Sequence, residues 1–318
     1  MKAIDLHCDT IGELYWLKKE GHPQSILKNS RMVDLEKMEA GDYGLQVFAL
    51  FVNMERAEDP FACCMEMADL FYQELSAYPE RIGIVRTSKE IEENWAKGRM
   101  SALLSIEEGG VCRGNPAFLR DFYRLGVRMM TLTWNYPNEI GTPAAESSEG
   151  GLTQFGRRLI GRMNERCVLC DVSHLNEAGF WDVMELSALP PVASHSCVRE
   201  LCNHRRNLWR DQVRAIIDRQ GFIGVNFYPR FLYDGNPANV TVQTVVEHID
   251  KLMQMGAVDC VGLGSDFDGI ELHPIGLNSP ADVPAIFDAL RARGYDEEAL
   301  CKIAGLNYYR VLSGTLEP

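Results

Sequence analysis

Short, near-continuously apolar runs alternate along this chain with longer stretches in which apolar residues recur at helical spacing. Eight runs read as strands: 3–9, 45–51, 102–107, 129–135, 168–174, 191–195, 222–228 and 260–266. Most are apolar at nearly every position, as strands covered on both faces should be. Between them, 60–78 carries Met65, Leu70, Phe71 and Leu75 at helical spacing behind Asp59-Pro60, a capping residue followed by a proline suited to a first turn. The segment 88–97 opens with Ser88-Lys89-Glu90-Ile91, where an acidic residue suits a helix N-terminus. Segment 155–166 is amphipathic, and Asn176, Thr241 and Ser279 or Asp282 read as further helix starts.

This alternation predicts a parallel sheet with right-handed crossovers. Eight units close into an α/β fold of the (β/α)₈ TIM-barrel type, with residues 1–318 as a single barrel domain. An open doubly wound sheet is the competing arrangement, but no GxGxxG follows the first strand to support it.

Composition sets limits on partners. A net charge of -13 opposes a nucleic-acid partner, because phosphate backbones are met by clustered Lys and Arg. No apolar run approaches bilayer length, and Met1-Lys2-Ala3-Ile4-Asp5-Leu6-His7 leads straight into a strand, so neither membrane nor targeting segment is expected. The ten cysteines are scattered, with Cys63-Cys64 adjacent and Cys167 and Cys170 inside apolar runs. Reduced thiols used as small core residues, and hence a cytoplasmic location, are expected.

Polar chemistry collects where the strands stop. The first ends in His7-Cys8-Asp9, the third in Glu107, the fifth in His174, the sixth in His195 and the eighth in Asp266. In a parallel barrel those ends ring one mouth. Residues two apart on a strand share a face, so His7 and Asp9 are expected to point inward and Cys8 outward. Each residue alone has a plain structural reading, such as a hydrogen-bonded core histidine or an aspartate capping a turn. Yet of seven histidines only three fall at strand ends, and they do so together with three carboxylates. Such donors suit Zn²⁺, with Mn²⁺ or Co²⁺ as substitutes. Six exceed the needs of one ion and match two, about 3.5–4 Å apart and sharing a carboxylate. Water bridging two such ions loses a proton near neutral pH and becomes a nucleophile, while a weakly ligating carboxylate acts as base and then acid.

The motifs Asp-Leu-His7-Cys-Asp9-Thr, Leu-Leu-Ser-Ile-Glu107, Asp-Val-Ser-His174, Ala-Ser-His195-Ser and Gly-Ser-Asp266-Phe-Asp-Gly resemble the membrane (renal) dipeptidase family of zinc peptidases, in a soluble bacterial form. The resemblance runs in order from residue 3 to about 312, through Gly151-Leu-Thr-Gln-Phe-Gly156 to Gly305-Leu-Asn-Tyr-Tyr-Arg-Val. It implies one zinc held by His7 and Asp9, a second held by His174 and His195, Glu107 bridging both, and Asp266 as general acid/base. Where the family usually reads Glu-Gly-Gly, this chain has Glu107-Glu108-Gly109-Gly110, so Glu108 stays open as the alternative bridge. Arg206 matches the residue that binds the substrate's terminal carboxylate, a role suited to a guanidinium fork. Tyr228 is placed to line the pocket or to pack in the core. One departure stands out: where the family commonly has Thr-Leu-Thr-His-Asn, this chain reads Thr131-Leu132-Thr133-Trp134-Asn135. Indole offers one N–H donor and cannot change charge as imidazole does.

The resulting expectation is a binuclear zinc dipeptidase acting on small dipeptides by attack of a metal-bridging hydroxide, with Glu107 and Asp266 as catalytic groups. The rival expectations are a metal-dependent amidohydrolase acting on a lactone, cyclic imide or other amide, and a metal-binding protein without turnover. A homodimer is left open.

Overall fold

Nine strands, all paired in parallel, make up one sheet in the computed structural model, which describes residues 2–316 and leaves Met1, Glu317 and Pro318 outside the described residues. They are β1 (Ala3–Cys8), β2 (Tyr43–Phe51), β3 (Ile82–Val85), β4 (Met100–Glu107), β5 (Val127–Thr131), β6 (Leu169–Asp171), β7 (Val192–Ala193), β8 (Phe222–Val225) and β9 (Val261–Leu263). The order β2-β1-β9-β8-β7-β6-β5-β4 is closed by a β2–β4 ladder from Leu45↔Ser101 to Phe51↔Glu107, giving the eight-stranded (β/α)₈ barrel that the alternation predicts.

The ninth strand was not expected. β3 pairs with Met100–Leu103 at the start of β4, and β5 takes over the same edge from Leu104 to Glu107. Its Ile-Gly-Ile-Val run is only four residues long with a glycine inside, too brief to register as a periodic pattern. Six expected strands also run past their observed ends, which fall at Cys8, Thr131, Asp171, Ala193, Val225 and Leu263. His174 and Asp266 sit beyond those ends in left-handed backbone, at φ 68° and 63°. They are carried on the first turns after the strands.

The helices begin largely where the capping residues imply. Asp59 accepts from Ala62 N ahead of Pro60–Ser76, Asn176 from Gly179 N ahead of Glu177–Leu186, and Thr241 from Gln243 N ahead of Val242–Gln254. The helix Ser88–Ala96 starts at the expected residue and is capped by Thr87, whose side chain and Glu90 form a reciprocal capping box. Ser279 precedes a short 3₁₀ turn, Pro280–Asp282, before Pro284–Ala292.

Two apolar layers hold the sheet. Ile4, Leu6, Leu45, Leu103, Leu169, Val192 and Phe222 fill the barrel near its N-terminal mouth, packed against Tyr308, Val311 and Leu312 of the closing helix Asn307–Thr315. A larger cluster lies between sheet and helices and contains Cys8, Phe48, Leu50, Leu104 and Ile106. Leu6 and Cys8 thus lie on opposite faces although two residues apart. The ladder explains this: β1 takes three steps from Asp5 to Cys8 while β2 takes two, from Gln46 to Phe48. That irregularity sends Cys8 outward and turns His7 and Asp9 toward the C-terminal mouth. Across the barrel, Gly224 and Gly264 admit the Ser194 carbonyl, since a Cβ on either would stand 2.1 or 1.8 Å from its oxygen. All ten cysteines are free thiols, most of them buried, and among the described residues no helix is long and apolar enough to cross a membrane.

Candidate metal centre

Six side chains from five strand ends converge inside the C-terminal mouth. His7 Nε2 lies 3.1 Å from Glu107 Oε2, 3.5 Å from Asp9 Oδ2 and 3.8 Å from Asp266 Oδ1. The other oxygen of Glu107, Oε1, lies 3.1 Å from His174 Nε2 and 3.6 Å from His195 Nε2. Three donor sets within ligating reach result: His7/Asp9/Glu107, Glu107/His174/His195 and His7/His195/Asp266. Glu107 stands between two histidine groups and offers one oxygen to each.

Glu108 does something else. Held at φ 80°, it turns from the cluster and accepts from Gly110 N (2.7 Å), Asn138 Nδ2 (2.5 Å) and Trp134 N (2.9 Å). It ties the turn after β4 to the segment after β5.

Burial and charge tune the cluster. Burial disfavours charge on His7, but Glu107 and Asp9 outweigh it and hold its pKa well above the ordinary value. Burial and the Arg206 charge push His174 down to about 4, against the pull of Glu107. Burial, His7 and Arg206 hold His195 well below the usual imidazole range. Burial opposes ionisation of Glu107, yet His7 and His174 keep it well below the carboxylate range. Asp9 is pushed up to about 6 by burial and Glu107. Asp266 reaches about 7 through burial, opposed by His7 and reinforced by Asp9 and Glu107.

These donors fit divalent cations. Three buried carboxylates share a space in which no Lys or Arg is bonded to them among the described residues, a costly arrangement without intervening positive charge. Asp9 Oδ1 and His7 Nδ1 are buried with no hydrogen-bond partner. The Nε2 atoms of His174 and His195 point at one another across 3.0 Å. His174 Nδ1 meets the acceptor oxygen of Asn135 at 3.1 Å, so it carries the proton and Nε2 presents a lone pair.

The cluster opens into a cavity of about 800 Å³. Trp134 and Tyr228 both line it. The Trp134 ring lies 4.9 Å from that of Phe51 and 6.4 Å from His174. The Tyr228 hydroxyl donates to Glu271, which together with burial pushes its pKa up to about 12. Arg206 lies differently. It is buried behind His195, its Nη2 donating to the His195 carbonyl at 3.3 Å, and it lines a neighbouring cavity of about 300 Å³. Its guanidinium sits 5.4 Å from the ring of Phe231, which lines the large cavity.

Some partners went unassigned in the sequence. Asn226 donates to Asp266 Oδ2 at 2.9 Å, leaving Oδ1 toward the centre. Asn135, Asp171 and Ser194 orient the histidines, and all three stand inside or beside motifs already singled out. Their polar character at strand ends was the available signal.

Comparison with known proteins places the chain among metallopeptidases. The family model described as membrane dipeptidase (peptidase family M19) matches residues 1–317. An uncharacterized Klebsiella pneumoniae protein encoded in the pqqA 5′ region is 36% identical over 262 residues, 80% of this chain and 96% of its own length. Among solved structures, dipeptidase AC, a metallopeptidase, is 29% identical with a TM-score of 0.92, covering 99% of each chain. A Rhodobacter sphaeroides metallopeptidase liganded with a phosphinate mimic of L-Ala-D-Ala is 28% identical with a TM-score of 0.91, again covering 99% of each chain.

Proposed function

Because the chain belongs to the membrane dipeptidase family of metallopeptidases, we propose that it is a binuclear zinc dipeptidase that cleaves the peptide bond of short substrates. One observation carries this reading: the two oxygens of Glu107 each stand 3.1 Å from a histidine Nε2 of a different donor group. His7 and Asp9 would hold one ion, His174 and His195 the other, and Glu107 both. When bound, the ions supply a hydroxide near neutral pH and a positive field for the carbonyl oxygen.

The protein groups do the rest. Asp266, with Oδ2 fixed by Asn226 and its pKa near 7, accepts the proton of the attacking water and passes it to the leaving amine. The new C–O bond forms first; the C–N bond then breaks as Asp266 delivers the proton to the departing nitrogen, so one product leaves with a new carboxylate and the other with a new amine. Arg206, behind His195 and next to Phe231 rather than in the large cavity, would favour a free C-terminal carboxylate through its charge and not through direct contact. The Phe51 and Trp134 rings close one wall and keep bulk water from the reacting carbonyl. The phosphinate dipeptide mimic bound by the Rhodobacter sphaeroides relative supports a dipeptide as the substrate class, and the ten free thiols support a reducing, cytoplasmic setting. A second reading, hydrolysis of a lactone, cyclic imide or other amide at the same centre, is favoured by Trp134 standing where the family places histidine.

The test is amino-acid release from L,L and L,D dipeptides by the zinc-loaded protein. Cleavage of at least one class is expected; no cleavage of any member with two zincs bound overturns the peptidase reading.

A further inference from the structure

Behind the histidine pair lies a buried hydrogen-bond chain that runs in one direction. Asp171, the last residue of β6, is fully buried. Its Oδ1 accepts the backbone N–H groups of Ser173 (3.0 Å) and Ser194 (2.9 Å). Its Oδ2 accepts the hydroxyls of Thr131 (2.6 Å) and Ser194 (2.5 Å). Four donors converge on two oxygens, so the carboxylate is the acceptor at every contact.

The proton order follows from this. Ser194 has one hydroxyl proton, and Asp171 takes it. Toward His195 Nδ1, 2.7 Å away, Ser194 Oγ can therefore only accept. His195 Nδ1 must carry the ring proton, and Nε2 is left with its lone pair facing His174 and Glu107. Ser173 completes the frame by accepting from the His195 backbone N–H at 3.1 Å. The close approach of Gly224 and Gly264 to the Ser194 carbonyl fixes the residue that carries the relay.

We infer that Asp171 is a positioning residue that acts through the Ser194 hydroxyl to lock His195 in the Nδ1–H tautomer, keeping Nε2 available as a metal ligand. This rests on the binuclear reading above but concerns atoms that hold no metal themselves. In Asp171→Asn, an amide N–H₂ pointed at the Oδ1 position would oppose two backbone N–H groups, so it must take the Oδ2 position. There it donates to Ser194 Oγ, whose proton turns to His195 Nδ1 and moves the ring proton to Nε2.

The experiment is ¹⁵N NMR of the histidine-labelled, metal-free protein, paired with zinc titration against a chromophoric chelator. Wild type is expected to show His195 protonated at Nδ1 and to bind two zincs. Asp171→Asn is expected to show the Nε2–H form and to lose about 10–100-fold in affinity at one of its two sites. Ser194→Ala removes the relay without a new donor and should weaken the same site, whereas Ser194→Thr keeps the hydroxyl and should restore it. A folded Asp171→Asn or Ser194→Ala protein with wild-type His195 shifts and both zinc affinities unchanged overturns the relay. Wild type that binds no zinc overturns the metal centre itself.

Discussion

Glu107 and Glu108 are adjacent in sequence, yet replacing each should produce a different kind of failure. Glu108→Ala removes the acceptor of three donors: the backbone N–H groups of Gly110 and Trp134 and the side-chain amide of Asn138. A donor left unpaired in the interior costs about 1–3 kcal/mol. Trp134 and Asn138 are only part-buried and partly recover through water. Glu108→Ala is therefore expected to cost roughly 3–5 kcal/mol in all, lowering Tm by roughly 6–10 °C at about 2 °C per kcal/mol for a chain of this size. The left-handed φ at this position persists in the alanine variant and adds no difference. Zinc content should stay at the wild-type value. Glu107→Gln keeps the shape of the side chain but removes the shared charge, so zinc content should fall by at least one ion per chain, with a smaller change in metal-free Tm. Differential scanning fluorimetry and metal analysis of both variants decide the matter. Zinc loss in Glu108→Ala beside full zinc retention in Glu107→Gln would refute the assignment.

Other consequences are open to test. Asp9 near pKa 6, Asp266 near 7 and a raised His7 all hold protons that cations must displace. Zinc affinity should therefore fall steeply as pH drops from 7.5 to 5.5 on the scale these pKa values set, read by chelator competition. The same two aspartates lie above their unfolded values, so their contribution to metal-free stability is present at low pH and lost as pH rises through about 6 and 7. The rise in Tm on adding zinc should grow as pH rises through that same window, from about 5 to about 7. Trp134→His is expected to change dipeptide kcat by less than about tenfold; a rise of about 10²–10³, the worth of an oxyanion donor, would assign the wild type to another amide or a lactone. Arg206→Gln, which removes the buried positive charge, should raise KM for dipeptides with a free C-terminus and leave amidated ones unaffected in steady-state assays.

Much of the barrel was legible because parallel strands buried on both faces leave uniform apolar runs. The six donors were legible because each ends such a run. The ends themselves were not. At His174 and Asp266 the chain leaves the sheet through left-handed residues that a hydropathy pattern cannot register. The irregularity in β1 was hidden as well, since alternation alone would put Leu6 and Cys8 on one face; their separation comes from pairing with β2, a non-local fact. Sequence favours Glu107 as the bridge with Glu108 as the alternative, and it is the left-handed turn at Glu108 that sends the second carboxylate away from the cluster. Asp171 and Ser194 stood in motifs already marked for their histidines, but a hydrogen-bond direction becomes visible only when β6 and β7 lie side by side.

Anomalous diffraction at the zinc absorption edge, from crystals of zinc-loaded protein, measures the central claim most directly. Two peaks are predicted, one enclosed by His7, Asp9 and Glu107 and the other by Glu107, His174 and His195. A single peak, or peaks away from Glu107, would contradict it.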